Sequence, residues 1–206
     1  MQKNSASNKN PDTLALFDFD GTVTYKDSLG DFLTFLLGRW RYIIGLLTLS
    51  PLLAAYKIGL ISGTFAKEKL LAYFIKDWDA THFLEIAREY SLEKADRIIR
   101  LKAMERIRWH KEQGHLVVVV TASPECYLKE WCYSNGLDLI GTKLEIKDGK
   151  LTGKFSSGNC TGKQKPLRIK EKYDLWTYNE IYAYGDSKND NEMLMLADHR
   201  FYKVFR

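Results

Sequence analysis

Leu14-Ala15-Leu16-Phe17-Asp18-Phe19-Asp20-Gly21-Thr22 decides how this chain is read. Its first four residues form a short apolar run, as expected of a strand buried on both faces in a parallel sheet. Asp18 and Asp20 stand where that strand ends, and a glycine and a hydroxyl follow. In open α/β sheets, chemistry gathers beyond the carboxyl ends of strands. Two carboxylates there suit a nucleophile with a second acid beside it to move a proton. Asp, Gly and Thr are also ordinary turn residues. The pentapeptide alone therefore leaves a plain turn equally open.

Working outward, residues 28–99 show no strand-like alternation. Ser28 suits the cap of a helix carrying Phe32, Phe35, Leu36 and Leu37. Phe65, Leu70, Leu71, Phe74 and Ile75 share one stripe of a further helix, and His82, Phe83, Ile86 and Tyr90 one stripe of another. Strand character returns after a helix that Gly114 stops. Leu116 to Val120 reads as a buried strand ending in Thr121-Ala122-Ser123, with Pro124 suited to the first turn of a helix. Lys147-Asp148-Gly149-Lys150, flanked by Leu144-Glu145-Ile146 and Leu151-Thr152-Gly153, is a hairpin signature. A helix over 165–173, a strand over 180–184, a short helix over 192–196 and a last strand over 202–205 follow. This alternation predicts an α/β fold: a parallel sheet with crossover helices, interrupted after its first strand by a helical insertion.

Composition narrows the function classes. The 206 residues are 45% hydrophobic and 28% charged, which allows one sizeable domain or a core with a smaller insertion. The net charge of +5 fits an anionic substrate or an anionic membrane surface. The basic residues are scattered and no nucleic-acid motif is present, so no nucleic-acid partner is expected. Cys126, Cys132 and Cys160 lack metal-ligand spacing and read as free thiols of a reducing compartment. The polar start reads as a disordered tail over 1–11 without a signal-peptide core, and a cytoplasmic location is expected.

Three strand ends now carry reactive residues: Asp18 with Asp20, Thr121 with Ser123, and Asp186 with Asp190. A parallel sheet brings such ends to one edge. Converging carboxylates need a cation, and Mg2+ is the natural choice because it takes oxygen ligands. Asp18 and Asp186 are ligand candidates, Asp20 through its backbone carbonyl, and Asp190 through a water or by orienting that shell. A cap in a Gly-Asp-Ser turn would explain Asp186 and Asp190 alone. Amides after Thr121 suit an anion if a helix begins there. Lys163 and Lys165 are both available to neutralise a phosphate, with Lys163 the better candidate for simple exposure. Together these residues can move a phosphoryl group: Asp18 attacks, Asp20 donates and then accepts the proton, and the cations stabilise the transferring group.

The order of these motifs resembles that of the haloacid dehalogenase superfamily, and in detail its phosphoserine-phosphatase-like subfamily, IB. The carriers are Phe17-Asp18-Phe19-Asp20-Gly21-Thr22, Val120-Thr121-Ala122-Ser123-Pro124-Glu125, Asp148-Gly149-Lys150-Leu151-Thr152-Gly153, Asn159-Cys160 with Gly162 and Lys165, and Gly185-Asp186-Ser187 with Asn189-Asp190. The resemblance implies a Rossmann-like core over 12–25 and 103–206 and an α-helical cap over 26–102. It implies a Mg2+-dependent phosphatase acting through an aspartyl-phosphate. Asp18 is then the nucleophile and Asp20 the acid/base. Gly21, Thr22, Thr121, Ala122 and Lys165 would bind phosphate, with Ser123 and Asn189 as further candidates. Asp186 and Asp190 would serve the metal.

Substrate choice falls to the cap. Asp27 stands where phosphoserine phosphatases carry a substrate-reading glutamate, and Ser28 follows it. The first half of the cap is similar instead to bacterial phosphatidylglycerophosphate phosphatase C, through Asp27-Ser28-Leu29-Gly30-Asp31-Phe32-Leu33, Arg39-Trp40-Arg41-Tyr42 and the uncharged run over 42–56. That run is shorter than the ~20 residues of a membrane span. Most of it is expected at the buried centre of a helix bundle, with peripheral contact at the inner face of a membrane as the competing reading. A lipid phosphate and a small soluble ester such as phosphoserine are the two substrate classes. A phospho-receiver would need neither a general acid nor a lid, and an inactive membrane-surface module would not need the catalytic set.

Overall fold

The structure, a computed structural model, describes residues 11–206. The tail expected over 1–11 lies outside the described residues except for Pro11. The strands are β1 (Thr13–Phe17), β2 (Leu116–Pro124), β3 (Asp138–Thr142), β4 (Leu144–Lys147), β5 (Lys150–Phe155), β6 (Glu180–Gly185) and β7 (His199–Tyr202). The helices are α1 (Ser28–Leu37), α2 (Arg39–Thr48), α3 (Ser50–Lys57), α4 (Gly63–Ile75), α5 (Ala80–Glu93), α6 (Leu101–Glu112), α7 (Lys129–Ser134), α8 (Gln164–Lys172) and α9 (Asn191–Leu194).

Five strands form a parallel sheet in the order β3-β2-β1-β6-β7. Its centre is apolar on both faces because the pleat sends alternate residues to opposite sides. Ala15, Phe17, Val117 and Val119 enter one core with residues of α1 and α4 to α7. Leu14, Leu16, Val118 and Val120 enter the other, with Ile169 of α8 and Met193 of α9. The sheet thus has helices on both sides, the α/β arrangement its sequence pattern predicts. Phe17 is in register with Val119 on one side and Tyr184 on the other. Asp18 therefore leaves the sheet beside the ends of β2 and β6.

Helices α1 to α5 lie between β1 and β2 in the chain. Phe32 of α1 anchors them: it stacks on Tyr127 at 4.5 Å and meets Tyr90 edge-on at 5.3 Å. The hairpin β4–β5 stands apart from the main sheet and lies against α4. Gly153 sits at φ +77°, where any Cβ would overlap the Ala72 backbone. Among the described residues, no helix is long and apolar enough to cross a membrane.

Several boundaries differ from expectation. Asp27, not Ser28, caps α1: its carboxylate accepts from the Gly30 amide at 2.7 Å, while the Ser28 hydroxyl turns inward. Strand β2 runs on to Pro124 through a shift in its register with β3, and a short 3-10 turn precedes α7. Helix α9 is one turn over 191–194. The last strand ends at Tyr202, because Lys203 adopts φ +58° and folds Phe205 back onto Phe17. The largest correction concerns residues 42–56. Of these only Gly45 is buried. An uncharged composition predicts burial, but α2 packs on one side against α1 and α4, and α3 against α4, while their other side stays exposed.

Candidate active site

The ends of β1 and β6 and the start of α8 meet around one buried ammonium group. Lys165 Nζ donates to Asp18 Oδ1 and to Asp190 Oδ1, each at 2.6 Å. Lys165 is 1% exposed, Asp18 6% and Asp190 1%, so the contacts are shielded from solvent. Burial pushes the Asp18 carboxyl up to about 7, with Lys165 opposing the rise and Asp190 adding to it. The two carboxylates hold Lys165 above its usual range despite its burial, and Lys165 holds Asp190 below the carboxylate range. Lys163 is exposed at the N-cap of α8, so Lys165 is the lysine in the cluster.

Asp190 has a second task. Its Oδ2 accepts from the Ser187 hydroxyl at 2.8 Å and from the Ser187 and Asp186 amides at 2.9 and 3.2 Å. It thereby fixes the turn that presents Asp186. The turn is tight because Gly185 has no Cβ; one would lie 2.6 Å from the Asp190 Cβ. Asp18, Asp186 and Asp190 each offer an oxygen within 4.8 Å of the others. Such a hard, oxygen-only set fits Mg2+. Gly21 completes the approach at φ +86°, where a Cβ would stand 2.5 Å from Asp186 Oδ2. The Arg206 guanidinium also reaches Asp186 Oδ2.

Asp20 is clamped from two sides. Its Oδ1 accepts from the Ser28 amide at 2.6 Å and its Oδ2 from the Ser123 hydroxyl at 2.6 Å, with Thr121 Oγ1 at 3.5 Å. Ser28 Oγ lies 3.3 Å from both Ser123 Oγ and the Tyr127 hydroxyl. The second acid is thus tied both to β2 and to the first helix after β1.

The remaining sequence candidates divide. Thr121 is buried, and its hydroxyl accepts from the Ser123 amide at 3.0 Å. That amide is already engaged, and the segment is strand end rather than helix start, so the expected helix N-terminus for an anion is not there. The Ala122 carbonyl accepts from Thr142 and from Lys67, each at 2.9 Å. The Gly21 amide donates to Thr24 Oγ1 at 3.1 Å. Thr22 Oγ1 is buried with no partner among the described residues. Asn189 is exposed, and its carbonyl accepts the Gly162 amide at 3.1 Å. Asp27 keeps solvent access, yet desolvation by the surrounding chain, then the charge of Asp20, raises its carboxyl.

Two residues escaped the sequence reading. Lys67 of α4 reaches across to β2, where burial lowers its pKa against the pull of Asp20, Asp27 and Asp18. A lone lysine on a helix reads as a solvent-exposed one, and only the fold of α4 over the strand ends reveals it. Arg206 carried no motif either.

The chain matches the family model for haloacid dehalogenase-like hydrolase over residues 15–195. It is similar to Protein CicA of Caulobacter vibrioides, 35% identical over 94% of this chain and 86% of that protein. It is 26% identical to a Neisseria meningitidis histidinol-phosphatase, over 89% and 86% of the two chains. Among solved structures, a Bordetella pertussis protein of unknown function superimposes with TM-score 0.76 at 24% identity, over 91% and 87% of the chains. A substrate-bound phosphoserine phosphatase does so with TM-score 0.64 at 20% identity, over 94% and 86%.

Proposed function

Because this chain belongs to the haloacid dehalogenase-like hydrolases, we propose that it is a phosphoserine-phosphatase-like, Mg2+-dependent phosphomonoesterase working through an aspartyl-phosphate. The observation that carries the reading is the buried Asp18–Lys165–Asp190 triad beside Asp186. Asp18, Asp186, the Asp20 carbonyl and, directly or through water, Asp190 would hold the metal. Bound there, Mg2+ supplies positive charge to the transferring phosphoryl group and lets the carboxylates stand together.

The residues divide the work. An Asp18 oxygen forms a bond to phosphorus while the bond to the leaving oxygen breaks. Asp20 gives that oxygen its proton, so an alcohol departs. Asp20, now a carboxylate, takes a proton from water as the water attacks phosphorus. The Asp18–phosphorus bond breaks and inorganic phosphate leaves. Lys165 balances charge on the nucleophile and on the equatorial oxygens. The Thr121 hydroxyl and the Gly21, Thr22 and Ala122 backbone line the phosphate position.

The substrate we favour is a lipid phosphate such as phosphatidylglycerophosphate, met through peripheral contact with an anionic membrane at its cytoplasmic face. The exposure of the uncharged run over 42–56 supports this. The opposite charges of Asp27 and Lys67 near Asp20 favour a second reading, a small zwitterionic ester such as phosphoserine. The test is phosphate release from phosphatidylglycerophosphate, lysophosphatidate, phosphoserine and p-nitrophenyl phosphate, with Mg2+ or EDTA. Turnover that survives EDTA or Asp18→Asn refutes the mechanism. A strong preference for phosphoserine refutes the lipid substrate.

A further inference from the structure

Helix α2 turns its apolar side outward. Trp40, Ile44 and Leu47, spaced to share one helical stripe, are 75%, 59% and 68% exposed. Its inner side is seated firmly: Tyr42 meets Phe74 at 5.8 Å, and any Cβ on Gly45 would overlap the Phe74 ring. The stripe is therefore not a core face waiting for a small rotation. Beyond α3 the chain again exposes Ile58 and Leu60, at 71% and 74%. Exposed apolar surface of this kind marks a place of interaction.

Charge identifies the partner. From Phe32 to Lys67 the chain has no Asp or Glu, while Arg39, Arg41 and Lys57 are exposed cations. A second copy meeting this face across a two-fold axis would oppose cation to cation with no acid between them. An anionic lipid surface meets both demands, taking the apolar stripe into the headgroup–acyl boundary and the cations against phosphate. At about 1.5 Å per residue, a ten-residue helix is ~15 Å long, about half a hydrocarbon core, so it lies in the plane. We infer that α2, with the turn after α3, is a docking face for an anionic phospholipid bilayer.

The same helix borders the candidate site. A Cβ on Gly30 would stand 2.9 Å from the Tyr42 hydroxyl, and Gly30 also donates to Asp27, next to the Ser28 amide that binds Asp20. Docking through α2 brings that entrance to headgroup level. This last step rests on the phosphatase reading, whereas the docking itself does not.

The test is co-sedimentation of the full chain with phosphatidylglycerol/phosphatidylcholine vesicles and with phosphatidylcholine alone, at low and high salt. Binding is expected to the anionic vesicles and to weaken with salt. Each cation near the surface contributes about fivefold, so Arg39→Glu/Arg41→Glu should weaken partitioning by about thirtyfold or more. Trp40→Ser/Ile44→Ser/Leu47→Ser should abolish it. Both variants should keep wild-type release from p-nitrophenyl phosphate. Equal binding to neutral vesicles, no binding, or a dimer lost in the Trp40 variant without vesicle binding would each overturn the proposal. Vesicle binding without any phosphate release would leave the docking standing and remove the phosphatase reading.

Discussion

Replacing Lys165 by Met keeps roughly the length and volume of the side chain and removes its charge. The ammonium bonds Asp18 and Asp190 at 2.6 Å each, with the three side chains 2%, 9% and 1% exposed. Solvent cannot replace it, so two carboxylates are left buried without a counter-charge. Breaking a buried pair in this way costs about 3–5 kcal/mol. The penalty must depend on pH. Asp18 already stands at about 7 with Lys165 present, and loss of the lysine raises it further. The variant's native state then binds more protons than its unfolded state at neutral pH, so its stability falls as pH rises. Acidification supplies a proton in place of the ammonium and shrinks the loss. Urea unfolding without metal, at pH 5.5 and pH 8, measures both effects. A loss below about 1 kcal/mol at pH 8, or one that does not shrink at pH 5.5, would refute the reasoning.

Other outcomes follow from the same contacts. Ser123→Ala removes the 2.6 Å bond to Asp20; a hydrogen bond to a charged group contributes about 1.5–3 kcal/mol, so kcat should fall by roughly 10- to 150-fold in steady-state assays, with KM little changed. Gly21→Ala should cost about 1–2 kcal/mol for its φ of +86° and push against Asp186, which a Mg2+ titration of activity would show as weakened metal dependence. His110 is fully buried and is lowered to about 3 by burial, then by His115 and Arg106. Its contribution is complete above the unfolded value of 6.5 and is lost as pH falls below it, about 2 kcal/mol by pH 5. Denaturation of His110→Gln at pH 7 and pH 5 should show that slope reduced.

The sheet was legible because its signal is local. Buried parallel strands are apolar throughout, and β1, β2 and β6 each end in polar residues that cannot continue the core. The helices after β1 were legible by period. The meeting of Asp18, Asp186 and Asp190 at one sheet edge was legible from topology, whereas which side chains and surfaces a distant part of the chain covers was not. An uncharged run reads as buried whether or not a partner covers it, and the outer side of α2 has none among the described residues. Lys67 resembles any helical lysine until α4 is laid across β2. The end of β2 is ambiguous in the sequence because Pro124 suits a helix start as well as it suits an irregular strand end. Ser28 and Asp27 can each cap a helix, and what buries Ser28 is Ser123 and Tyr127, far along the chain.

The hairpin β4–β5 is joined to the helical segment by backbone hydrogen bonds: Asp77 to Leu151, Ala80 to Gly149 and Leu151 to Trp78, at 2.8–3.0 Å. The Phe155 amide adds a bond to Glu68, and Gly153 lets Ala72 close against it. Any displacement of α4 that widens the entrance must carry this hairpin along. The polypeptide therefore crosses between the moving part and the sheet at four places, not two: near Thr24, near Ile99, at Lys143 and over 156–159. Strain in the last two would oppose such a displacement as directly as strain in the first two.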